Sequence, residues 1–380
     1  MRALRFLLLL LLSVSPISAS ARSGSYVICA YVFPQGAPLQ PGQINPHAVT
    51  RINYAFAAIS NGRMTLATPT AAEDLHYLTG LRQQNPSLQV LLSVGGWLGS
   101  GGFSDAALTE QSRAVFVRSG IDLIRQYNLD GIDIDWEYPG QAGAGNTFRS
   151  EDKRNFTLLL QQMRQKLDQL SRAGHRRLYL TIAAGATSDF LDQTRMALVQ
   201  RSLDAVNLMA YDYYEPGSDK ITGNHAPLFT DPEDPKGDSS DASVRAFEAA
   251  GVPASKIILA VPFYGHRWTR VPPAHNGLFQ TGQASAQGSV SYGVIVGTML
   301  GHGFTRYWDA RAQAPWLYSE EQRVFVSYDD PESLKLKCGY VIDHKLGGIG
   351  FWSYLDDSTG ELLRTIDATL DAGAPDRSRE

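Results

Sequence analysis

Eight short apolar segments recur along the chain, separated for most of its length by stretches of helical periodicity, and this alternation restricts the fold more than any single residue does. The segments begin at Tyr26 ("YVICAYV"), Arg51 ("RINYAFAAI"), Leu88 ("LQVLLSVGG"), Leu129 ("LDGIDIDW"), Arg177 ("RLYLTIAAG"), Asp204 ("DAVNLMAYD"), Lys256 ("KIILAVPFYG") and Leu346 ("LGGIGFWSYL"). Between them lie amphipathic runs such as "QSRAVFVRSGIDLIRQYN" and "KRNFTLLLQQMRQKLDQLSRAG", the second with Gly174 at its expected helix end. Eight β-then-α units predict an α/β fold of the closed (β/α)8 TIM-barrel type rather than an open doubly wound sheet.

The rhythm breaks once, between the seventh and eighth segments. From His266 to Tyr328 no clean helix period survives; Gly, Ser, Gln and Thr alternate with aromatics, which predicts a small inserted α+β subdomain over 266–328, between strand 7 and helix 7. An insertion there stands on the C-terminal rim of the barrel, where catalytic loops converge, and adds a wall to a cleft. A second irregular stretch, "EPGSDKITGNHAPLFTDPEDPKGDSSD", reads as a long rim loop. The remainder of 22–380 is expected to form one catalytic barrel.

The first 21 residues pair two arginines with an apolar run from Phe6 to Leu12 and end on Ala19-Ser20-Ala21, the three-part pattern of a signal peptide. A secreted or periplasmic protein is therefore expected, with no membrane association after cleavage. Its two cysteines, Cys29 in a strand and Cys338 in a helical stretch, exclude a disulfide scaffold and read as buried thiols rather than a bridge. One glycosylation sequon is present, Asn155-Phe156-Thr157. With 38 acids against 34 bases and no Lys/Arg cluster, nothing points to a nucleic-acid partner and a neutral or weakly charged partner fits better; a monomer is expected.

"LDGIDIDWEYPG" is the segment that carries chemistry. Alternate strand residues face the same way, so Asp133, Asp135 and Glu137 share a face roughly 7 Å apart along the backbone while Asp130 has the opposite parity. If that face points into the barrel, like charges in a poorly solvated site cannot all ionise, and at least one proton is retained near neutral pH. Glu137, last in the row, is best placed to present that proton as a general acid. Oxygen ligands could also suit Mg²⁺, Mn²⁺ or Ca²⁺, but no histidine neighbours the row and nothing else in it calls for a metal or other cofactor.

Asp130-Gly131-Ile132-Asp133-Ile134-Asp135-Trp136-Glu137 resembles the DxxDxDxE signature of family 18 glycoside hydrolases, the chitinases and their relatives. Further landmarks match in order: "INYAFA" with Phe56, Ser93-Val94-Gly95-Gly96-Trp97, Met209-Ala210-Tyr211-Asp212, "VPFYG" at Val261 to Gly265, and "GGIGFW" ending in Trp352. The resemblance implies hydrolysis of chitin or chitooligosaccharides at β-1,4 bonds, with retention and without an enzyme nucleophile, an exception to the two-carboxylate scheme. Glu137 would protonate the glycosidic oxygen while the substrate's acetamido carbonyl attacks, giving an oxazolinium ion. Asp135 would orient the acetamido N–H, Asp133 would share a proton with it, and Tyr211 would donate to the acetamido oxygen.

By the same resemblance, Trp352 forms the floor under the distorted sugar and Trp97 stacks on the leaving-group side. Asp212 binds the same sugar or steadies Glu137, Tyr138, Met209 and Phe56 fall among the substrate-binding positions, and Tyr31 and Ser93 support the inner Asp of the row. Asp130 is left as structural support. Departures from the family pattern are His266 where an Arg is frequent, Ser353 where a Glu follows the floor tryptophan, and Ala30 for a Gly. No separate carbohydrate-binding module is visible. Two other functions stay open: action on N-glycan cores or peptidoglycan, and a non-catalytic chitin-binding lectin, although lectins of this kind usually lose the terminal Glu.

Overall fold

The computed structural model describes residues 26–373. In chain order the strands are β1 (Val27–Val32), β2 (Arg51–Ser60), β3 (Arg63–Leu66), β4 (Gln89–Gly95), β5 (Gly131–Asp135), β6 (Tyr179–Gly185), β7 (Ala205–Met209) and β8 (Ile257–Pro262). They are followed by β9 (Tyr264–Thr269), β10 (Gln283–Ser291), β11 (Thr305–Asp309), β12 (Ala314–Ser319), β13 (Val324–Ser327) and β14 (Gly348–Trp352). The order β1-β14-β8-β7-β6-β5-β4-β2 is parallel throughout, and β1 pairs again with β2, so the ring closes. Each of the eight apolar segments supplies one barrel strand, as the alternation predicts.

One strand escaped the period count. β3 returns antiparallel to β2 through Asn61-Gly62, both at positive φ (50° and 71°), as a two-residue hairpin requires. That dipeptide is itself a hairpin signal. The helix Glu110–Tyr127 starts where Thr109 Oγ1 accepts the Ser112 N–H at 3.0 Å and stops at Asn128 in the left-handed region. The longer helix Asp152–Gly174 ends similarly, but His175 rather than Gly174 adopts the left-handed conformation. The sequon lies within this helix, where Asn155 and Thr157 are buried and offer no exposed acceptor.

Side-chain parity divides the barrel wall. Ile132 and Ile134 of β5 join the apolar layer shared with the helices, alongside Leu92, Val94, Leu180 and Ile182 from neighbouring strands. The alternate residues point inward, where Cys29, Tyr31, Ala205 and Ile258 form a separate small cluster. Cys29 and Cys338 are both buried and unbridged, and burial pushes each thiol up to about 12.

Between β8 and the helix Pro331–Asp343, β9 to β13 form an antiparallel sheet in the order β10-β9-β13-β12-β11. Its first strand begins already at Tyr264, directly after β8, and thereby brings Tyr264 and His266 to the barrel rim. Trp268 and Phe325 pack edge to face across it at 5.8 Å. Among the described residues no helix is long and apolar enough to cross a membrane. The expected signal peptide, 1–21, lies outside the described residues.

Candidate active site

Asp133 and Asp135 point into the barrel, and Glu137 stands two residues beyond the end of β5 at the C-terminal rim. Asp130, one residue before the strand, belongs to the opposite end. There it accepts from Arg82, from Arg176 at 3.0 Å and from the Val90 N–H at 2.7 Å, tying β4, β5, a short helical turn and a loop together.

Asp133 is caged. Tyr31 Oη donates to its Oδ2 at 3.0 Å and Ser93 Oγ at 2.8 Å, while Thr181 Oγ1 and Asn207 Nδ2, the latter at 3.1 Å, donate to Oδ1. Burial still raises its pKa, against the lowering effect of these bonds. Tyr31 and Ser93 were expected as supports; Thr181 and Asn207 were not. Their signal was present as one polar residue in each otherwise apolar run, and register makes it concrete, since Ser93 pairs with Asp133 and Asp133 with Thr181.

The next carboxylate is provided for differently. Asp135 Oδ1 is buried and has no hydrogen-bond partner. Its pKa is pushed well above the usual carboxylate range by burial, then by the neighbouring charges of Glu137 and Asp133. Burial also lifts Glu137 to about 7; a hydrogen bond from Tyr138 opposes the rise, and the charges of Asp212 and Glu215 add to it. Burial and mutual repulsion thus favour retention of a proton on this pair.

Main-chain contacts fix this arrangement. The Glu137 N–H donates to Ser100 Oγ at 2.9 Å, and Asn146 Nδ2 donates to the Glu137 carbonyl at 2.5 Å. Gly95 and Gly96, at φ +109° and +78°, allow the close approach. A Cβ on Gly95 would lie 2.1 Å from the Asp135 carbonyl oxygen, and one on Gly96 would lie 2.6 Å from the Phe56 ring. The peptide bonds Ala55–Phe56, Glu137–Tyr138 and Trp352–Ser353 are cis.

A cleft of about 810 Å³ opens above the row. Trp352 lies at its base, with Phe56 stacked on it at 5.5 Å, Phe33 also at 5.5 Å and Tyr31 at 5.9 Å. Trp97 is 51% exposed on the rim, 6.4 Å from the Tyr138 ring. Met209 and Tyr211 line the cleft from the end of β7, and burial with nearby Asp212 raises the Tyr211 hydroxyl well above its usual pKa. Asp212 accepts from Tyr264 Oη at 2.6 Å and from His266 Nε2 at 2.8 Å. Although burial pushes the other way, His225 and His266 hold its carboxyl below the usual carboxylate range.

Every expected substrate-binding residue therefore lines one cleft, Asp133 and Ser93 lie beneath it, and Asp130 stands apart. Sequence reasoning missed Phe33, Tyr264 and His225. Phe33 adjoins the first apolar segment and Tyr264 lies within "VPFYG", while His225 sits in the loop that read only as irregular.

A (β/α)8 barrel that gathers a proton-holding acid, an aspartate row and an aromatic floor in a single rim cleft has the architecture of the glycosidase class. Within that class the chain belongs to family 18: the model described as Glycosyl hydrolases family 18 matches residues 27–357. Chitinase A1 of Niallia circulans is 35% identical, across 95% of this chain and 60% of that protein, so the chain spans less than two thirds of this relative. Chitotriosidase-1 of Mus musculus is 32% identical over 86% of the chain and 73% of its own length. Among solved structures, a family 18 N-acetylglucosaminidase from Paenibacillus barengoltzii superposes with a TM-score of 0.83 at 40% identity, covering 90% of this chain and 99% of that one. A mutant of the class V chitinase from Nicotiana tobaccum, in complex with NAG4, gives 0.82 at 28% identity, with 91% and 99% coverage.

Proposed function

We propose that this protein is an exported glycoside hydrolase that cleaves β-1,4 bonds of chitin or chitooligosaccharides with retention, using the substrate's 2-acetamido group as nucleophile. The observation that carries the reading is the buried, unpartnered Oδ1 of Asp135 beside the proton-holding Glu137. An unsatisfied carboxylate oxygen costs about 1–3 kcal/mol or more, and an acetamido N–H delivered by the substrate would relieve it. Glu137 protonates the leaving oxygen, then takes a proton from the incoming water. Asp135 aligns the acetamido N–H and balances the developing oxazolinium charge, with the caged Asp133 as its proton-sharing neighbour.

Tyr211 holds the acetamido oxygen, Trp352 supports the distorted sugar, and Trp97 receives the sugar on the leaving side, with Tyr138, Met209, Phe56 and Asp212 completing the contacts. No second carboxylate need reach the anomeric carbon, because the substrate brings the nucleophile. The named relatives support chitin as the polymer: chitinases recur among them, and one solved neighbour holds NAG4. Chain-length preference is read by comparing fluorogenic chitobiosides and chitotriosides, a question sharpened by the N-acetylglucosaminidase among the structural neighbours.

Glu137→Gln tests the reading because it removes the proton source and keeps the shape. Turnover of these glycosides is expected to fall by about 10²–10⁴-fold, with chitooligosaccharide binding retained in calorimetry. Turnover at the wild-type rate would sink the assignment, and oligosaccharide binding by a wild type that hydrolyses nothing would support the lectin instead.

A further inference from the structure

His225 is wholly buried, yet neither of its ring nitrogens has a hydrogen-bond partner; Nδ1 lies 3.5 Å from Asp212 Oδ1. His266 places Nε2 at 2.8 Å from the same oxygen, and its Nδ1 is likewise buried without a partner. The two rings stand 4.9 Å apart at 69°. Of four imidazole nitrogens, one makes a close hydrogen bond and a second, His225 Nδ1, faces the same oxygen at the limit of hydrogen-bonding distance. A neutral imidazole keeps a lone pair on one nitrogen, and in the tautomers that place it on His225 Nδ1 and His266 Nε2, the second in exchange for the N–H given to Asp212, two such donors converge on the carboxylate oxygen.

The spacing also admits a metal ion. Ligands placed tetrahedrally at about 2.0–2.2 Å from an ion stand about 3.3–3.6 Å from one another; the 3.5 Å separation meets that value, and the 2.8 Å hydrogen bond would open by about half an ångström. All three donor atoms fall within 4.8 Å of each other. Two imidazoles with a single carboxylate favour Zn²⁺ and its transition-metal neighbours over Mg²⁺ or Ca²⁺, which prefer all-oxygen shells.

We propose that Asp212, His225 and His266 form a site for Zn²⁺ or a similar divalent transition-metal ion, and that its occupancy inhibits the enzyme. Asp212 and His266 line the cleft whereas His225 stands behind them, so the ion's open position faces the substrate. Coordination takes Asp212 Oδ1 away from Tyr264 and from any sugar it would bind. The inhibitory half rests on the hydrolase reading; the binding half stands without it.

The test uses the full chain, freed of any affinity-tag histidines and dialysed against EDTA. Zn²⁺ is added in a calorimeter, and Co²⁺ is followed by its visible absorption. We expect one ion per chain, a tetrahedral Co²⁺ spectrum that Zn²⁺ displaces, and affinity weakened more than about a hundredfold in His225→Asn. His266→Arg is the second variant, because a guanidinium still donates to Asp212 but has no lone pair for a metal. It should fail to bind, while Glu137→Gln should bind as wild type does.

Zn²⁺ should inhibit glycoside turnover at the concentration at which it binds and leave the residual turnover of His266→Arg unaffected. No stoichiometric binding, or binding undiminished in both histidine variants, overturns the site. Binding without inhibition overturns the regulatory half, and a wild type that binds Zn²⁺ but hydrolyses nothing removes the hydrolase reading alone.

Discussion

Asp130 precedes and Asp135 ends the same five-residue strand, and their surroundings are opposite. At the N-terminal end Asp130 commits both oxygens to Arg82, Arg176 and the Val90 amide, and Asp204 repeats the pattern beside β7, with Arg164 at 3.1 Å, Arg177 at 2.7 Å and the Leu180 amide at 2.8 Å. At the C-terminal end Asp135 keeps a buried oxygen unpartnered, with Glu137 at its side. One residue type serves as a latch where partners are supplied and as a reactive group where they are withheld. The unequal provision agrees with the division of (β/α)8 barrels into a stabilising face and a reactive face.

The comparison can be broken most severely at Asp135. Asp135→Asn keeps the size and removes the charge that would balance an oxazolinium ion, so kcat should fall by about 10²–10³-fold with a small change in chitooligosaccharide affinity. Steady-state kinetics beside calorimetry checks this, and an unchanged kcat would make the two ends equivalent. At the other end, Asp130→Asn leaves two guanidinium groups facing an amide. Denaturant unfolding should show a loss of about 3 kcal/mol, with kcat of the folded fraction unaltered.

The last prediction concerns Glu137 as a stability element. Its folded pKa is raised from 4.5 to about 7, so the stability it contributes is full below 4.5 and declines as pH rises towards 7. Glutamine does not ionise. Glu137→Gln should therefore match wild type in acid and exceed it above neutrality, visible as a Tm difference that grows as pH rises from 4.5 towards 7. A constant offset at every pH would contradict the raised pKa. The same protonation predicts that wild-type turnover declines on the alkaline side of about 7.

The eight-strand rhythm and the parity of the acid row were legible in the sequence because each follows from local geometry. The Asn61-Gly62 hairpin was equally local, but β3 has only four residues, too few for a period to register. The cage around Asp133 was half legible. Thr181 and Asn207 lie 48 and 74 positions away in sequence, and a single polar residue in an apolar run does not declare its partner. His225 was invisible, since a histidine within a Gly- and Pro-rich loop reads as solvent-facing until the inserted sheet covers it.

By itself, then, the sequence determined which residues share a face and how many strands the chain makes, because side-chain alternation and helical period are properties of a few consecutive residues. Only the tertiary structure decided which acids are satisfied and which are left wanting. That depends on ring closure through β1 and β14, which brings Tyr31 to Asp133, and on β9 folding back to set His266 beside Asp212 and His225. Desolvation is set by the whole enclosure, so the proton on Glu137 is a property of the closed barrel.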